Sequence, residues 1–480
     1  MGGYAARSFR LAAIACWRRV VSSVILVPFR GPGAGEADLS WGQAEIWAAM
    51  RAQQSSLAGG SVAAFGAGQG IDYAVSLLGY FMGRYPSFRT RLRFGSDGSV
   101  RQVLVDHGEA PLRVVDAPDD ADPAEFAEAL RQEYVGVLFD YANEWPIRMA
   151  VVRHLGVPTH LVAVHCHLAM DGGGFQAVAA DLARFDDNES PLDAVPDALD
   201  PLEQVRWQQG KAGQRQHATT VRHWRRLLDK VAADRFGHTD DERQPRHWRV
   251  SCNSPAAYLA MRSIATRTGK ADTSPVLMAA VAVALADVTG VNPSVLRVMV
   301  SNRFRPGLAT TVSPISQSAL CVIDAAGVTV DETVERAWRG LMSAYLNAYY
   351  DPAGMAEAVA DIGRERGVEI DLDCFFNDRR TEARREYSGP APSRAELLAA
   401  QGKTTVHWGP HSDAPFTRFY VHILDAPDSI ELLAFADTRY LPPGHLSAFL
   451  ARFEDILVDA AFDPMAPTGI PAVTEVSSLG

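Results

Sequence analysis

The sequence has 480 residues, of which 47% are hydrophobic and 21% charged, a composition typical of a globular protein long enough for two or three domains. Its net charge of −11 disfavours a general affinity for nucleic acid. The five cysteines are scattered, without a Cys-x-x-Cys pair, so we expect a reduced, cytoplasmic protein that binds no metal.

The first residues contain a short apolar run, 11–17, which Arg18 and Arg19 interrupt. The run is too short to cross a membrane or to form a typical secretory core. Residues 1–20 are therefore predicted to be a flexible extension or an over-long start, and the fold is expected to begin with a strand at 24–29.

Hydrophobic periodicity and cap residues predict the elements that follow. In chain order these are a helix at 39–50 with Ser40 as its N-cap, a helix at 71–82, a segment at 84–94 that leads into a strand, a helix at 123–137, and antiparallel strands at 147–153 and 159–167.

The second of these antiparallel strands ends in a histidine. Apolar and β-branched residues run to His167, and the chain then turns at Asp171 and three glycines before a helical pattern at 175–184. On a strand, Cys166 points to the face opposite that of His167, and a buried thiol on that opposite face would serve as packing. His165 points to the same face as His167. A lone strand histidine is often a hydrogen-bonded core residue, so a structural and a catalytic interpretation of His167 both stay open at this point.

Asp171, the acidic residue of this turn, could in principle be the carboxylate partner of His167 in a catalytic triad. A carboxylate buried in such a turn is costly to leave unpaired, so Asp171 is expected to pair with an arginine that holds the loop, rather than to assist the histidine.

An acidic, proline-marked stretch without periodicity follows and is predicted to be a linker. The predicted domains are a flexible extension at 1–20, an N-terminal lobe at 21–185, a linker at 186–203, a C-terminal lobe at 204–463 and a flexible tail at 464–480.

A basic run follows the linker, on a helix that carries Lys211, Arg215, His217, Arg222, His223, Arg225 and Arg226. This run indicates either a solvated helix face or a docking surface for an acidic partner. The C-terminal lobe is predicted to contain a helix at 276–288, strands at 295–300, 404–408, 417–424 and 429–437, and a final helix that ends near 457.

The order His-x-x-x-Asp-Gly on a strand, turn and helix resembles the active-site motif of the condensation domains of nonribosomal peptide synthetases. These domains share the motif with chloramphenicol acetyltransferase and other CoA-dependent acyltransferases. The family motif usually begins with two histidines, of which the second is catalytic; in this sequence the second is His167 and the first is replaced by Cys166. Other stretches resemble the family's motifs in the same order, at 39–50, 84–94, 201–204 and 301–317.

This resemblance implies a mixed α+β or α/β two-layer sandwich fold, with two chloramphenicol acetyltransferase-like lobes that form a V-shaped pseudodimer around a central tunnel. His167 would be the catalytic base, Asp171 would support the loop, and Gly172 would let the backbone approach the substrate. The expected supporting residues are His165, Cys166 and Arg303, the last as the partner of Asp171, and the candidates for the tunnel wall are Trp408 and Asn377.

The resemblance further implies a condensation-type acyltransferase of natural-product biosynthesis, such as antibiotic assembly. The phosphopantetheine arm of a partner acyl or peptidyl carrier protein would supply the thioester donor, so the chain itself would bind no cofactor. The acceptor would be a small-molecule or carrier-bound amine or alcohol, giving an amide or an ester. The enzyme is expected to be a monomer without a membrane or nucleic-acid partner. Two alternatives stay open: an acyl-CoA-dependent acyltransferase and a catalytically inactive, condensation-like docking module.

Overall fold

The computed structural model describes residues 21–185, 198–237, 239–269, 272–380, 391–413 and 416–472. The chain divides into two compact units: unit 1 comprises Met1–Gln214 and Ser301–Ser316, and unit 2 comprises Arg215–Val300 and Gln317–Gly480.

Helices and strands are interspersed along the whole chain. The first half contains β1 (Val21–Arg30), β2 (Gly35–Asp38), α1 (Trp41–Gln53), β3 (Gly59–Ala64), α2 (Ile71–Arg84), β4 (Thr90–Phe94), β5 (Val100–Leu104), β6 (His107–Asp116), α3 (Pro123–Gly136), β7 (Ile147–His154), β8 (Val157–His165), α4 (Gly172–Leu182), α5 (Pro201–Gln209) and α6 (Lys211–Leu228). The second half contains β9 (His247–Ser254), α7 (Pro255–Thr268), α8 (Ser274–Thr289), β10 (Ser294–Val300), β11 (Gln317–Ile323), α9 (Val330–Leu346), α10 (Pro352–Arg366), β12 (Cys374–Asp378), α11 (Arg394–Gln401), β13 (Thr405–Trp408), β14 (Phe419–Ala426), β15 (Ser429–Asp437) and α12 (Pro443–Phe462).

Unit 1 is built on a five-stranded sheet with the order β1-β6-β7-β8-β3, beside a three-stranded sheet with the order β2-β5-β4. Side chains alternate between the two faces of a strand, so Met149 and Val151 of β7 pack in the core that contains α2 residues. Ala150 and Val152 pack in the core that contains α3 residues. Helices thus cover both faces of this sheet, which fixes β8 firmly in place.

Unit 2 is built on a seven-stranded sheet with the order β11-β10-β12-β14-β15-β9-β13. Helix α8 is buried from Ser274 to Ala286 and packs within a large apolar cluster, as expected for a helix that is apolar on all sides. Among the described residues, no helix is both long and apolar enough to cross a membrane.

Most predicted elements are present, with small shifts at their ends. Ser40 caps α1 through a capping box with Gln43, which confirms the predicted start of that helix. The predicted segment at 84–94 is only partly a strand, because α2 ends at Arg84 and a 3₁₀ turn, Pro86–Arg89, precedes β4. The mixed α/β class is confirmed in both units.

The domain boundaries differ from the prediction, since unit 1 continues to Gln214 instead of ending before a linker at 186–203. Helix α5 starts inside the predicted linker 186–203, because Asp200 and Glu203 form a capping box around Pro201. Residues 301–316, predicted in the C-terminal lobe, belong to unit 1.

The predicted flexible tail also departs from the structure. Ala466 and Ile470 are buried in the core of unit 2, and backbone hydrogen bonds join the segment to residues 327–330. The predicted extension 1–20, residues 186–197 of the linker and residues 473–480 of the tail lie outside the described residues.

Candidate active site

The candidate site is built on the turn that follows β8, residues 166–171, which we call the motif turn. Strand β8 ends at His165, two residues before the predicted end at His167. The backbone leaves the sheet ladder there, and the His167 amide donates instead to the Ser56 carbonyl at 3.3 Å. His167 therefore lies just beyond the end of β8, not within the strand as predicted.

Ser56 anchors the motif turn from the connection between α1 and β3. Its side chain accepts a hydrogen bond from the Phe139 amide at 3.0 Å and lies 2.9 Å from the Tyr141 hydroxyl. The connection is sharply bent, with left-handed φ values of 50° at Gln54 and 44° at Leu57. Sequence reasoning missed Ser56, since a serine in a loop carries no local signal of a contact so distant in the chain.

The two ring nitrogens of His167 have different surroundings. The side chain is partly exposed, but its Nδ1 atom is buried. Nδ1 is therefore closed to solvent and to a substrate.

Asp171 is the most heavily bonded residue of the site. It is 5% exposed and caps α4, where its Oδ1 accepts from the Gly174 amide at 2.8 Å and from Arg303 Nη2 at 2.7 Å. Its Oδ2 accepts from Arg303 Nη1 at 3.2 Å, from the Ile315 amide at 3.1 Å, and from the Ser316 amide and hydroxyl at 2.9 and 2.7 Å. The structure thus brings Asp171 and Arg303 together within unit 1.

This network keeps Asp171 ionised. Burial alone would raise the pKa of its carboxyl, but the Arg303 charge and the hydrogen bonds from Ser316, Gly174 and Ile315 outweigh burial and lower the pKa below its ordinary value. Six hydrogen bonds occupy the lone pairs of the carboxylate, so none is left to orient an imidazole. Ser316 was also missed from the sequence, although it lies in the stretch 301–317 that resembles a family motif.

The three glycines after Asp171 have unequal roles. A Cβ atom on Gly172 would meet nothing within 4 Å, whereas one on Gly173 would lie 2.5 Å from Arg303 Nε. None of the three has a positive φ. The close contact at this turn is that of Arg303 over Gly173, while Gly172 is exposed at the first position of α4.

His165 is the last residue of β8 and stacks on the ring of Phe175, with 6.3 Å between centroids and an interplanar angle of 23°. Burial, together with the neighbouring charge of His167, lowers the pKa of His165 to about 4. The ring is therefore neutral near pH 7 and lies beside the motif turn as a packing element.

Cys166 is fully buried among apolar residues that include Val164 and Leu168. Its thiol lies 3.8 Å from the Ser56 carbonyl, and burial raises its pKa to about 12. A cavity of about 20 Å³ beside Cys166 has room for a single water molecule. The thiol thus packs in the core.

The two candidates for the tunnel wall lie in unit 2 and far apart. Asn377 in β12 donates to the Tyr420 hydroxyl at 3.3 Å. Trp408, at the end of the edge strand β13, is 41% exposed and packs edge-on against Trp248. Strands β14, β15 and β9 separate the two, a distance of roughly 19 Å across the sheet. Asn377 and Trp408 cannot both contact the same small chemical group of a substrate.

Among the described residues, no cluster of His, Cys, Asp and Glu could hold a metal ion.

Comparison with known proteins identifies one matching family model and many solved structures with a similar fold. The family model of the condensation domain matches residues 75–360. No curated protein matches the sequence. A structure that describes condensation domain-mediated chain release from the enacyloxin polyketide synthase is 20% identical, with a TM-score of 0.65 and coverage of 93% of this chain and 86% of that chain.

Two further solved structures are similar over nearly their whole length. The X-domain from teicoplanin biosynthesis, in complex with OxyB, is 17% identical, with a TM-score of 0.67 and coverage of 93% and 98%. The SgcC5 protein from Streptomyces globisporus, in complex with a naphthyl-ethanediol and sucrose, is 18% identical, with a TM-score of 0.63 and coverage of 90% and 100%. At these identities the structures establish the fold, and the family model covers more than half of the 480 residues. The chain therefore belongs to the condensation domain family.

Proposed function

We propose that the protein is an acyltransferase in which His167 is the general base. The observation that carries this proposal is the arrangement of the motif turn: the ring of His167 is partly exposed, while Asp171 is buried and fully engaged in holding the turn. The Nε2 atom is then the proton acceptor, because Nδ1 is buried.

The reaction would need little more than a positioned base. An amine or hydroxyl of the acceptor attacks the carbonyl carbon of a thioester, and its proton passes to His167 Nε2. The carbon–sulfur bond then breaks, and the thiolate takes that proton from the imidazolium. Holding the two substrates together can supply roughly 7–11 kcal/mol at best. An amine that is already deprotonated can attack through its own lone pair, so it would depend less on the base than an alcohol.

The proposed donor is an acyl or aminoacyl thioester on the phosphopantetheine arm of a carrier protein. Membership of the condensation domain family supports this donor, since these domains act in peptide and polyketide synthesis. An alcohol acceptor has the further support that a diol occupies the similar SgcC5 structure. The product would be an amide or an ester within natural-product assembly.

A second candidate is a docking module without catalytic activity. The similarity to the teicoplanin X-domain, which was solved in complex with a partner protein, favours it. The presence of both His167 and Asp171 weighs against it, since Cys166, the one departure from the motif, is buried in the core.

The test compares the parent with His167→Ala in single-turnover reactions, using an acyl carrier protein or acyl-CoA as donor and an amine or an alcohol as acceptor. His160→Ala, seven residues earlier and on β8, is the matched control. We expect His167→Ala to lose at least about 100-fold in rate with an alcohol and less with an amine. Equal rates for parent and His167→Ala would remove the catalytic assignment. Turnover with acyl-CoA as efficient as with the carrier would favour the acetyltransferase-like alternative, and no turnover with any donor would favour the docking module.

A further inference from the structure

Helix α6 carries a row of arginines that the candidate site does not use. Its 18 residues, Lys211–Leu228, include five Lys or Arg and no Asp or Glu, although acidic residues outnumber basic ones, 57 to 46, in the whole chain. One face of the helix is buried: Thr220, Trp224 and Leu228 are at most 2% exposed.

The arginine row consists of Arg215, Arg222 and Arg226, all exposed. At 3.6 residues per turn they fall within about 40° around the helix and span roughly 16 Å along it. A straight line of three cations thus faces away from the buried side.

Among the described residues, the side chains of the arginine row form hydrogen bonds only within their own helix. Arg222 donates to the Thr219 hydroxyl at 3.0 Å, and Arg226 Nε donates to the Arg222 carbonyl at 3.4 Å. In the parts of the chain that the structure describes, none of the three forms an ion pair. Arg225, by contrast, pairs with Glu365 on α10. The charge of Arg225 is thus balanced by a carboxylate, whereas the charges of the arginine row are not.

Helix stability does not explain this arrangement. Like charges four residues apart, such as Arg222 and Arg226, repel each other on a helix. The net charge of −11 also repels an acidic macromolecule at long range, so an acidic partner would be drawn to the places where cations are concentrated.

From these observations we infer that the arginine row is a docking surface for an acidic helix of the carrier protein that delivers the thioester. This inference rests on the proposed function for the identity of the partner. The row would contribute to association with the carrier, whereas the chemistry would take place at His167, which is not part of the row.

The test is the full-length variant Arg215→Glu/Arg222→Glu/Arg226→Glu. Its matched control is Arg30→Glu/Arg51→Glu/Arg206→Glu, which makes the same change in net charge at exposed arginines scattered over unit 1. Both are assayed with an acyl carrier protein and with the small donor acyl-pantetheine. We expect the KM for the carrier to rise about tenfold or more in the row variant alone, with kcat and the KM for acyl-pantetheine unchanged.

The two donors separate the two proposals. If the parent turns over neither donor, the proposed function fails, and docking is then read from fluorescence anisotropy of labelled holo-carrier at 50 and 300 mM salt. The docking surface would be supported if the parent binds the carrier more weakly at the higher salt concentration and if only the row variant loses binding. Equal carrier KM values, or equal anisotropy, in the two triple variants would overturn it. Binding of the parent protein to a DNA duplex but not to the carrier would also overturn it.

Discussion

Replacing Asp171 by alanine should lower the free energy of unfolding by about 3–5 kcal/mol, the usual cost of removing one partner of a buried ion pair. The side chain of Arg303 is 13% exposed, so its guanidinium would be left buried without the carboxylate. The amides of Gly174, Ile315 and Ser316 would also lose their acceptor. Each unsatisfied buried group costs roughly 1–3 kcal/mol, but water that enters the space left by the carboxylate would offset part of the sum.

Asp122→Ala is the control that separates this cost from the loss of a helix cap. Asp122 caps α3 at the surface by accepting from the amides of Ala124 and Glu125 at 2.7 and 3.1 Å, and its loss should cost about 0.5–2 kcal/mol. Urea unfolding at pH 7, followed by tryptophan fluorescence, measures both variants. If Asp171→Ala is no more destabilising than Asp122→Ala, the buried network does not hold the turn.

The same network makes a prediction about pH. Because the pKa of Asp171 is lowered in the folded protein, its stabilising contribution is complete above the unfolded pKa of about 3.9 and is lost as the pH falls through the folded pKa. The difference in stability between the parent and Asp171→Asn should therefore be constant from pH 7 to about 5 and shrink below about 4. A difference that grows on acidification would refute the assignment of a charged carboxylate.

Three further predictions concern Ser56, His165 and the glycines after Asp171. Gly173→Ala should destabilise the protein, by about 1–3 kcal/mol in urea unfolding, because its Cβ would meet Arg303 Nε at 2.5 Å, whereas Gly172→Ala should be neutral or slightly stabilising. Ser56→Ala should cost about 1–3 kcal/mol, since it leaves a buried amide unsatisfied, and should reduce kcat more than it changes KM. His165 stays neutral in the folded protein down to about pH 4, so stability should fall as the pH drops below about 6.5, where the unfolded chain takes up a proton that the native chain does not.

Each of these has a matched comparison. Ser87 is 1% exposed like Ser56, but its hydroxyl has no hydrogen-bond partner among the described residues, so Ser87→Ala should cost much less. His165→Phe should flatten the acid limb of the stability curve relative to the parent. Equal costs for the two serines, or an unchanged acid limb in His165→Phe, would contradict the assigned roles.

Local patterns predicted the order of elements, because periodicity and caps act over a few residues, as Ser40 shows. The cost of a buried charge also predicted that Asp171 needs an arginine, and the family resemblance supplied Arg303. The true end of β8 was not predictable, since the alternating pattern continues to His167 although the backbone has left the ladder. The contribution of Ser56 was hidden as well, because its contact with Cys166 joins residues 110 positions apart.

The long sequence separation between Asp171 and Arg303 has a consequence for folding during translation. Arg303 leaves the ribosome 132 residues after Asp171, and between them comes the first part of unit 2. Until then the carboxylate of the nascent chain has neither its cation nor the amides of Ile315 and Ser316. A fragment that stops before Ser301 can contain the whole histidine motif and still lack the residues that hold it in shape, so splitting the gene at the apparent linker would separate a site from its own support.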